Sequence, residues 1–294
     1  METCSQKSEN AMDKIDKTLD TPGKLFAYWR TLPDMQDFVR KCYYDDVQDA
    51  ANRFYDSEEF AEVQRLVNRY LRTNTHRLLD IGGGNGFATL AWERAGFEGV
   101  LVEPDDDPIV GYGAIQPLID TQKTRIQLLN IYGENIPFPD ESFDVIYVRQ
   151  VLHHIEDLPT FMREVYRLLK HGGVFIATRE HVISKPQDKE AFFEHHNLHR
   201  YTQGENAYLL KEYIESMQQA NLVVKESFRY SVINYMPNDQ MTFREMTARK
   251  FKFLGMSIAH FLAHNPITFA IIQKLVAWQD NTPGRMYSFV ATKP

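Results

Sequence analysis

The run Leu78-Leu79-Asp80-Ile81-Gly82-Gly83-Gly84-Asn85-Gly86-Phe87-Ala88 passes from an apolar stretch through a glycine-rich bend into a helical pattern. Such a bend lets backbone come close to a nucleotide-like ligand. A dinucleotide fingerprint needs glycine at 82, 84 and 87, but position 87 is Phe and the glycines stand at 82, 84 and 86. Asp80, just ahead of the first glycine, would repel a pyrophosphate and can bond an ammonium group instead. The spacing therefore favours a cationic ligand. Glu103, at the end of the next β-rich run, is placed to accept hydrogen bonds from the two hydroxyls of a ribose. Asp80 and Glu103 together define a nucleoside site.

Other reactive side chains follow two later β-rich runs: Arg149 and Gln150 after one, Arg179, Glu180 and His181 after the next. In a doubly wound sheet both groups fall in the crevice where ligands bind. The two arginines can pair with an acidic ligand or with Glu180. His153 and His154, in the first turn after the fourth run, are expected to pack or cap. Farther on, His195 and His199 would share one face of a helix, a spacing two metal ligands can use, with His196 between them. No third ligand is spaced to complete that site and HExxH is absent, so no metal is expected. The histidine cluster is read chiefly as acceptor-binding or as a hydrogen-bonded loop.

These residues need a scaffold. From Arg77 onward β-rich runs alternate with helical periods, the pattern of a parallel sheet covered on both faces. The expected strands are Arg77–Ile81, Gly99–Glu103, Ile126–Ile131, Phe143–Val148, Val174–Thr178, Leu222–Arg229 and Met286–Thr292. Leu158, Phe161, Met162, Val165 and Leu169 recur at helical spacing, and Gly172-Gly173 is expected to form a left-handed cap at that helix's end. Lys24 to Tyr70 carries apolar and aromatic positions at helical spacing, which predicts a helical cap over one end of the sheet. Between the last two strands, helices are expected near Thr242–Leu254 and Pro266–Trp278, the second opened by Asn265 as N-cap.

Composition narrows the function classes. With 294 residues at 34.3 kDa, 43% hydrophobic and 13% aromatic, the chain can build its own core and is not a disordered chain. Its 33 Lys+Arg against 40 Asp+Glu leave a net charge of -7, which argues against general nucleic-acid binding. Cys4 and Cys42 fit neither a disulfide framework nor a cysteine zinc site, so a reducing, cytoplasmic setting is expected. The first twenty residues lack an apolar signal core, and Phe253–Gln273, though free of formal charge, is broken by Gly255, His260, His264 and Pro266, so no membrane span is read there.

The chain resembles the class I S-adenosylmethionine-dependent methyltransferases. The resemblance is carried by Leu79 to Gly86, by Val102-Glu103-Pro104, by Ile136-Pro137-Phe138-Pro139-Asp140-Glu141-Ser142-Phe143-Asp144-Val145-Ile146, by Val151 to Asp157 and by Leu168 to Gly173, in that order, from Arg77 to about Thr178. It implies a Rossmann-like α/β fold: a doubly wound, seven-stranded, mostly parallel sheet with its last strand antiparallel. A helical N-terminal cap and a helical insertion before the last strand would be added to it. The implied organisation is a frayed tail over 1–23, a cap over 24–72, a cofactor-binding domain over 73–236 and 284–294, and an insertion over 237–283.

By that likeness Gly82, Gly84 and Gly86 line the methionine part of S-adenosyl-L-methionine, Asp80 lies near its amino group and Glu103 with Pro104 holds its ribose. Where the family commonly has an acid near the adenine, this chain has Tyr132 followed by Gly133, so Tyr132 is expected to stack on or cover that ring. Arg53 is expected either to reach the cofactor carboxylate or to pair at the surface, and Tyr55 either to shield the sulfonium or to pack in the core. Methyl transfer is an in-line displacement, so the protein mainly aligns the reactants and excludes water. An alcohol acceptor also needs a base, and His181 is the first choice, with Arg149 and Arg179 beside it as the expected catalytic group.

The expected function is S-adenosylmethionine-dependent methylation, at oxygen, of a small-molecule or sugar-type acceptor, with S-adenosyl-L-homocysteine as product. The rivals are a catalytically silent methyltransferase-fold binding subunit and, disfavoured by Phe87 and Asp80, a nicotinamide oxidoreductase. No nucleic-acid partner is expected. Over 241–278 cations sit beside an apolar run, which would serve either a peripheral membrane contact or packing on the chain's own domain or in a homodimer.

Overall fold

The computed structural model describes residues 21–195, 206–235 and 242–294. Its frame is one sheet built from β1 (Arg77–Ile81), β2 (Glu98–Val102), β3 (Gln127–Leu129), β4 (Phe143–Arg149), β5 (Leu169–Ile183), β6 (Tyr208–Leu209), β7 (Val223–Phe228) and β8 (Arg285–Thr292). The spatial order is β3-β2-β1-β4-β5-β8-β7, with β6 pairing β5 off this path. β8 is antiparallel to both β5 and β7, while β1 to β5 are parallel to one another. The chain therefore has the doubly wound α/β sheet with an antiparallel last strand. Because the strand order reverses between β1 and β4, a crevice opens at their carboxyl ends.

Twelve helices are described: α1 (Pro22–Thr31), α2 (Gln36–Lys41), α3 (Val47–Tyr55), α4 (Glu58–Tyr70), α5 (Phe87–Arg94), α6 (Gln116–Asp120), α7 (Leu158–Leu168), α8 (Asp188–His195), α9 (Leu210–Gln219), α10 (Phe243–Lys250), α11 (Met256–His264) and α12 (Pro266–Gln279). Their starts follow from local chemistry. Asp46, Ser57, Asp157 and Asn265 each accept backbone N–H groups at the head of a helix, worth about 1 kcal/mol apiece.

Neighbouring strand residues point to opposite faces, which sorts the core. Leu79, Ile146, Val148 and Phe175 pack with α7 and α9, whereas Leu78, Val145, Tyr147 and Ile176 pack with α3, α4 and α5. The expected cap is thereby divided. Phe54, Phe60, Val63 and Val67 bring α3 and α4 onto a sheet face as a layer, because their apolar stripes match the one the strands present. Only α1 and α2 stand apart, closed around Leu25, Phe26, Trp29, Met35 and Val39 with Ile109 and Val110 of the segment after β2.

Three local expectations are corrected. β5 runs from Leu169 to Ile183, well beyond Val174–Thr178, because β8 and β6 supply partners past the end of β4. Gly172 does adopt the left-handed region (φ 75), but α7 ends at an extended Leu169, and the glycine's conformation serves the edge of β5, where Arg72 would crowd a side chain. The late insertion holds α11 as well as the two helices expected.

Candidate functional site

β1 ends at Ile81 and the chain turns through Gly82 (φ 66), Gly84 (φ 55) and Gly86 (φ 84) into α5. These left-handed angles are strained for any residue with a side chain. Space decides the matter again at Gly82, where a Cβ would lie 2.7 Å from Cγ2 of Val151, the residue that leads off the turn after β4. The bend is thus pressed against the end of β4.

Glu103 ties the second strand to this bend: Gly84 N donates to its Oε2 at 2.8 Å and Asp105 N to its Oε1 at 3.0 Å. Asp80 is 1% exposed and accepts the Thr89 hydroxyl at 2.7 Å. Burial pushes the Asp80 carboxyl up to about 7, with nearby Glu103 adding to the shift, and burial raises Glu103 as well. Burial outweighs the Thr89 hydroxyl and the Arg149 guanidinium at Asp80, so the two carboxyls form a seat suited to a positively charged ligand that also offers hydroxyl donors. The donor set therefore fits the nucleoside read from the sequence.

The cap is fastened to the same bend. Asn85 Nδ2 donates to the Tyr43 carbonyl at 2.7 Å, and the Tyr43 ring stacks on Phe87 at 4.6 Å with 12° between planes. Arg30 donates to the Tyr44 and Asp45 carbonyls at 2.6 and 2.7 Å. Tyr43 has φ 62, a conformation that no feature of the sequence announced, and it was missed. Arg53 is engaged inside the cap by Asp45 at 2.6 Å and the Arg40 carbonyl at 3.2 Å. Tyr55 lies against Phe60 and beneath Arg94, so Tyr43 is the cap tyrosine next to the glycine bend. Tyr132 stands 74% exposed, while Gly133 sits where a Cβ would come 2.7 Å from Ile81, bringing that backbone over the end of β1. Pro104 is exposed at the end of β2.

Arg149, which ends β4, and Arg179, beside it within β5, meet a residue that sequence reasoning did not pair with them. Glu59 of α4 receives Arg149 Nε at 2.9 Å and Arg179 Nη1 at 2.9 Å, all three side chains nearly closed to solvent. Burial alone would raise the Glu59 carboxyl, yet the two guanidiniums hold it below its ordinary value. Arg149 also donates to Gln150 Oε1. Arg179 keeps Nε and Nη2 buried with no hydrogen-bond partner among the described residues. Those two atoms form the edge of a guanidinium that grips a carboxylate or phosphate with two bonds.

Of the two pairings open to these arginines in the sequence, the one with Glu180 does not form. Successive strand residues alternate faces, and Arg179 with φ 64 lies at an irregularity of β5, so Glu180 heads toward the turn after β4. There it accepts Val151 N at 3.1 Å and His153 N at 3.2 Å and lies 2.7 Å from His153 Nδ1. Despite burial, the His153 ring and the amides of Val151 and Leu152 keep Glu180 below its ordinary value. His181 is 4% exposed, its ring 4.8 Å from that of His153 and 5.0 Å from Phe192. Its Nδ1 lies 2.7 Å from the Gly284 carbonyl, which can only accept, so Nδ1 carries the proton and Nε2 is the basic nitrogen of the neutral ring.

Beyond the end of β5, a cleft of about 630 Å³ is bordered by Lys185, Lys211 and Arg285 over Ile183, Leu210 and Ile214. The side chain of His195 and residues His196 and His199 lie outside the described residues. Among the described residues no group of three His, Cys, Asp or Glu could hold a metal ion.

Residues 79–177 match the family model described as "Methyltransferase domain". The chain is 30% identical over 150 residues to the uncharacterized methyltransferase YcgJ of Bacillus subtilis, spanning 50% of this chain and 58% of that one. It is 34% identical over 122 residues to the ubiquinone/menaquinone biosynthesis C-methyltransferase UbiE of Xanthomonas oryzae pv. oryzae, spanning 38% of this chain and 47% of that one. The chain thus covers about half the length of these curated relatives. Among solved structures, geranyl diphosphate C-methyltransferase from Streptomyces coelicolor superposes with TM-score 0.52 at 16% identity over 80% of each chain. Phosphoethanolamine N-methyltransferase 2 from Haemonchus contortus, solved with S-adenosyl-L-methionine, gives TM-score 0.52 at 20% identity over 88% of this chain and 60% of that one. At such identities these two likenesses speak for the fold.

Proposed function

We propose that this chain is a class I S-adenosylmethionine-dependent methyltransferase, a reading supported by the methyltransferase-domain match over residues 79–177, and that it methylates a small-molecule or sugar-type acceptor at an oxygen, with His181 as base. When bound, S-adenosyl-L-methionine supplies a methyl group on a positively charged sulfur. The glycine bend gives its backbone to the methionine part, Asp80 meets the ammonium, and Glu103 accepts from the ribose hydroxyls. Packing of Tyr43 and Phe87 beside the bend keeps water out.

The observation that carries the oxygen reading is the hydrogen bond of His181 to Gly284. It holds the ring as the tautomer whose Nε2 can accept the acceptor's hydroxyl proton, at the strand end where acceptors approach in this fold. The buried edge of Arg179, without a partner among the described residues, supports an anionic group on the ligand that enters beside it. Release of S-adenosyl-L-homocysteine over a panel of hydroxyl, phenol and sugar acceptors tests the reading. Mass and carbon-13 chemical shift of the product distinguish an O-methyl from the C-methyl that the name of the UbiE relatives brings to mind. No release over a wide panel, with the methyl donor still bound, would favour a silent binding subunit.

A further inference from the structure

Of the twelve large hydrophobic side chains exposed among the described residues, nine lie between Phe253 and Trp278. On α12, Ile267, Ile271, Leu275 and Trp278 recur at helical spacing and form one outward stripe, while Phe269 and Ile272 face the protein. On α11, Ala259 and Ala263 turn inward, and Ile258 and Phe261 turn out. An ordinary surface helix of this same chain, α4, puts Arg65, Asn68 and Arg69 on its outer side instead. The outward side of α11 and α12 is therefore apolar where water would select polar residues.

The charge beside this stripe is one-sided. Arg249, Lys250, Lys252 and Lys274 are exposed around it, and Arg244 is drawn in, donating to the Ala263 carbonyl at 2.7 Å with its guanidinium 4.2 Å from the Phe269 ring centre. The only acid from 242 to 279 is Glu245, which closes the capping box of Thr242. This occurs in a chain whose net charge is -7. A two-fold contact between copies would set this cationic rim against itself. A surface of negative charge with an apolar interior complements both features.

We propose that the outward face of α11 and α12 docks on the surface of an anionic lipid bilayer, the two helices lying in the interface with Trp278 inserted. With 14 residues, α12 is about 21 Å long, short of the hydrocarbon core. No helix among the described residues is long and apolar enough to cross a membrane. The contact is thus peripheral, apolar insertion and cationic attraction acting together.

The tryptophans supply the readout. Trp29 and Trp92 are fully buried and Trp278 is 76% exposed, so a change in emission on adding vesicles reports on Trp278. Full-length protein with vesicles of equal parts phosphatidylcholine and phosphatidylglycerol is expected to co-sediment, to shift its emission to the blue and to be quenched by brominated acyl chains. Vesicles of phosphatidylcholine alone should bind at least about tenfold more weakly. Arg249→Glu with Lys252→Glu, and separately Ile267→Ser with Ile271→Ser, should each weaken binding to the mixed vesicles about tenfold, with melting temperature unchanged because all four side chains are exposed. Absence of co-sedimentation and blue shift on the mixed vesicles overturns the proposal, as does equal binding by wild type and both variants. It is overturned too if the protein sediments as a dimer that Ile267→Ser with Ile271→Ser dissociates.

Discussion

Glu59, on the helix that precedes the first strand, accepts a hydrogen bond from Nη1 of Arg179, on the fifth strand, at 2.9 Å, and both side chains are closed to solvent. Arg149 shares the same carboxylate, so one acid neutralises part of the charge of two buried guanidiniums. The N-terminal helices are therefore bound electrostatically to the strand ends that border the crevice.

Removing that charge without changing shape should be costly. Glu59→Gln leaves two buried cations without a counter-ion, a defect worth about 3–5 kcal/mol. Urea titration would read it as a lowered midpoint, and a loss below about 1 kcal/mol would contradict the arrangement. Since the folded state holds Glu59 below its ordinary value, its contribution is present above the unfolded carboxyl range and is lost as pH falls through the depressed value.

Asp80 behaves oppositely. Its folded value near 7 lies above the ordinary 3.8, so its favourable contribution is present below the unfolded value and disappears as pH climbs from about 4 toward 7. Ligand-free protein should lose stability over that window, and Asp80→Asn should flatten the loss. A bound ammonium lowers the carboxyl again, so donor binding at pH 6 should release a proton and affinity should rise up to about tenfold per pH unit below 7. Calorimetry in two buffers of different ionisation enthalpy measures the released proton; none released would separate Asp80 from the ammonium.

Glu103→Gln tests the ribose contact. The single amide oxygen can accept from only one of Gly84 N and Asp105 N, so melting should fall by several degrees, while affinity for S-adenosyl-L-methionine should fall at least about tenfold through lost charge-assisted hydrogen bonds. Unchanged affinity in the same calorimetric titration would remove Glu103 from the site.

His181→Ala should leave donor affinity within about twofold and lower turnover on a hydroxyl acceptor by about 10²–10⁴-fold. The loss should fall on kcat with the acceptor KM little changed, a split that a packing role would not give. Turnover equal to wild type would dismiss the base.

Much of the fold was legible because it rests on near-neighbour regularities. Alternation around Leu78 and Leu79, the helical period of Leu158 to Val165, and Asn265 ahead of Pro266 each act within a few residues, and each element formed where its pattern lay. β6 and α11 escaped because two residues of strand carry no period, and Met256 to His264 reads as an apolar run without one. Gly82, Gly84, Gly86, Asp80 and Glu103 were readable as a group because a bend, an acid and a strand end lie in one short stretch.

What the order of residues alone determined was the strand sequence, the glycine bend and the acids beside it, since backbone angles and hydrogen bonds along a turn are local. Only the folded chain decided that Glu59 would claim Arg149 and Arg179, that Glu180 would turn to His153, and that Gly284 would set the tautomer of His181. Each of those pairs joins residues far apart in sequence, and burial in a low-dielectric interior makes their partners obligatory without leaving a mark on the residues between them.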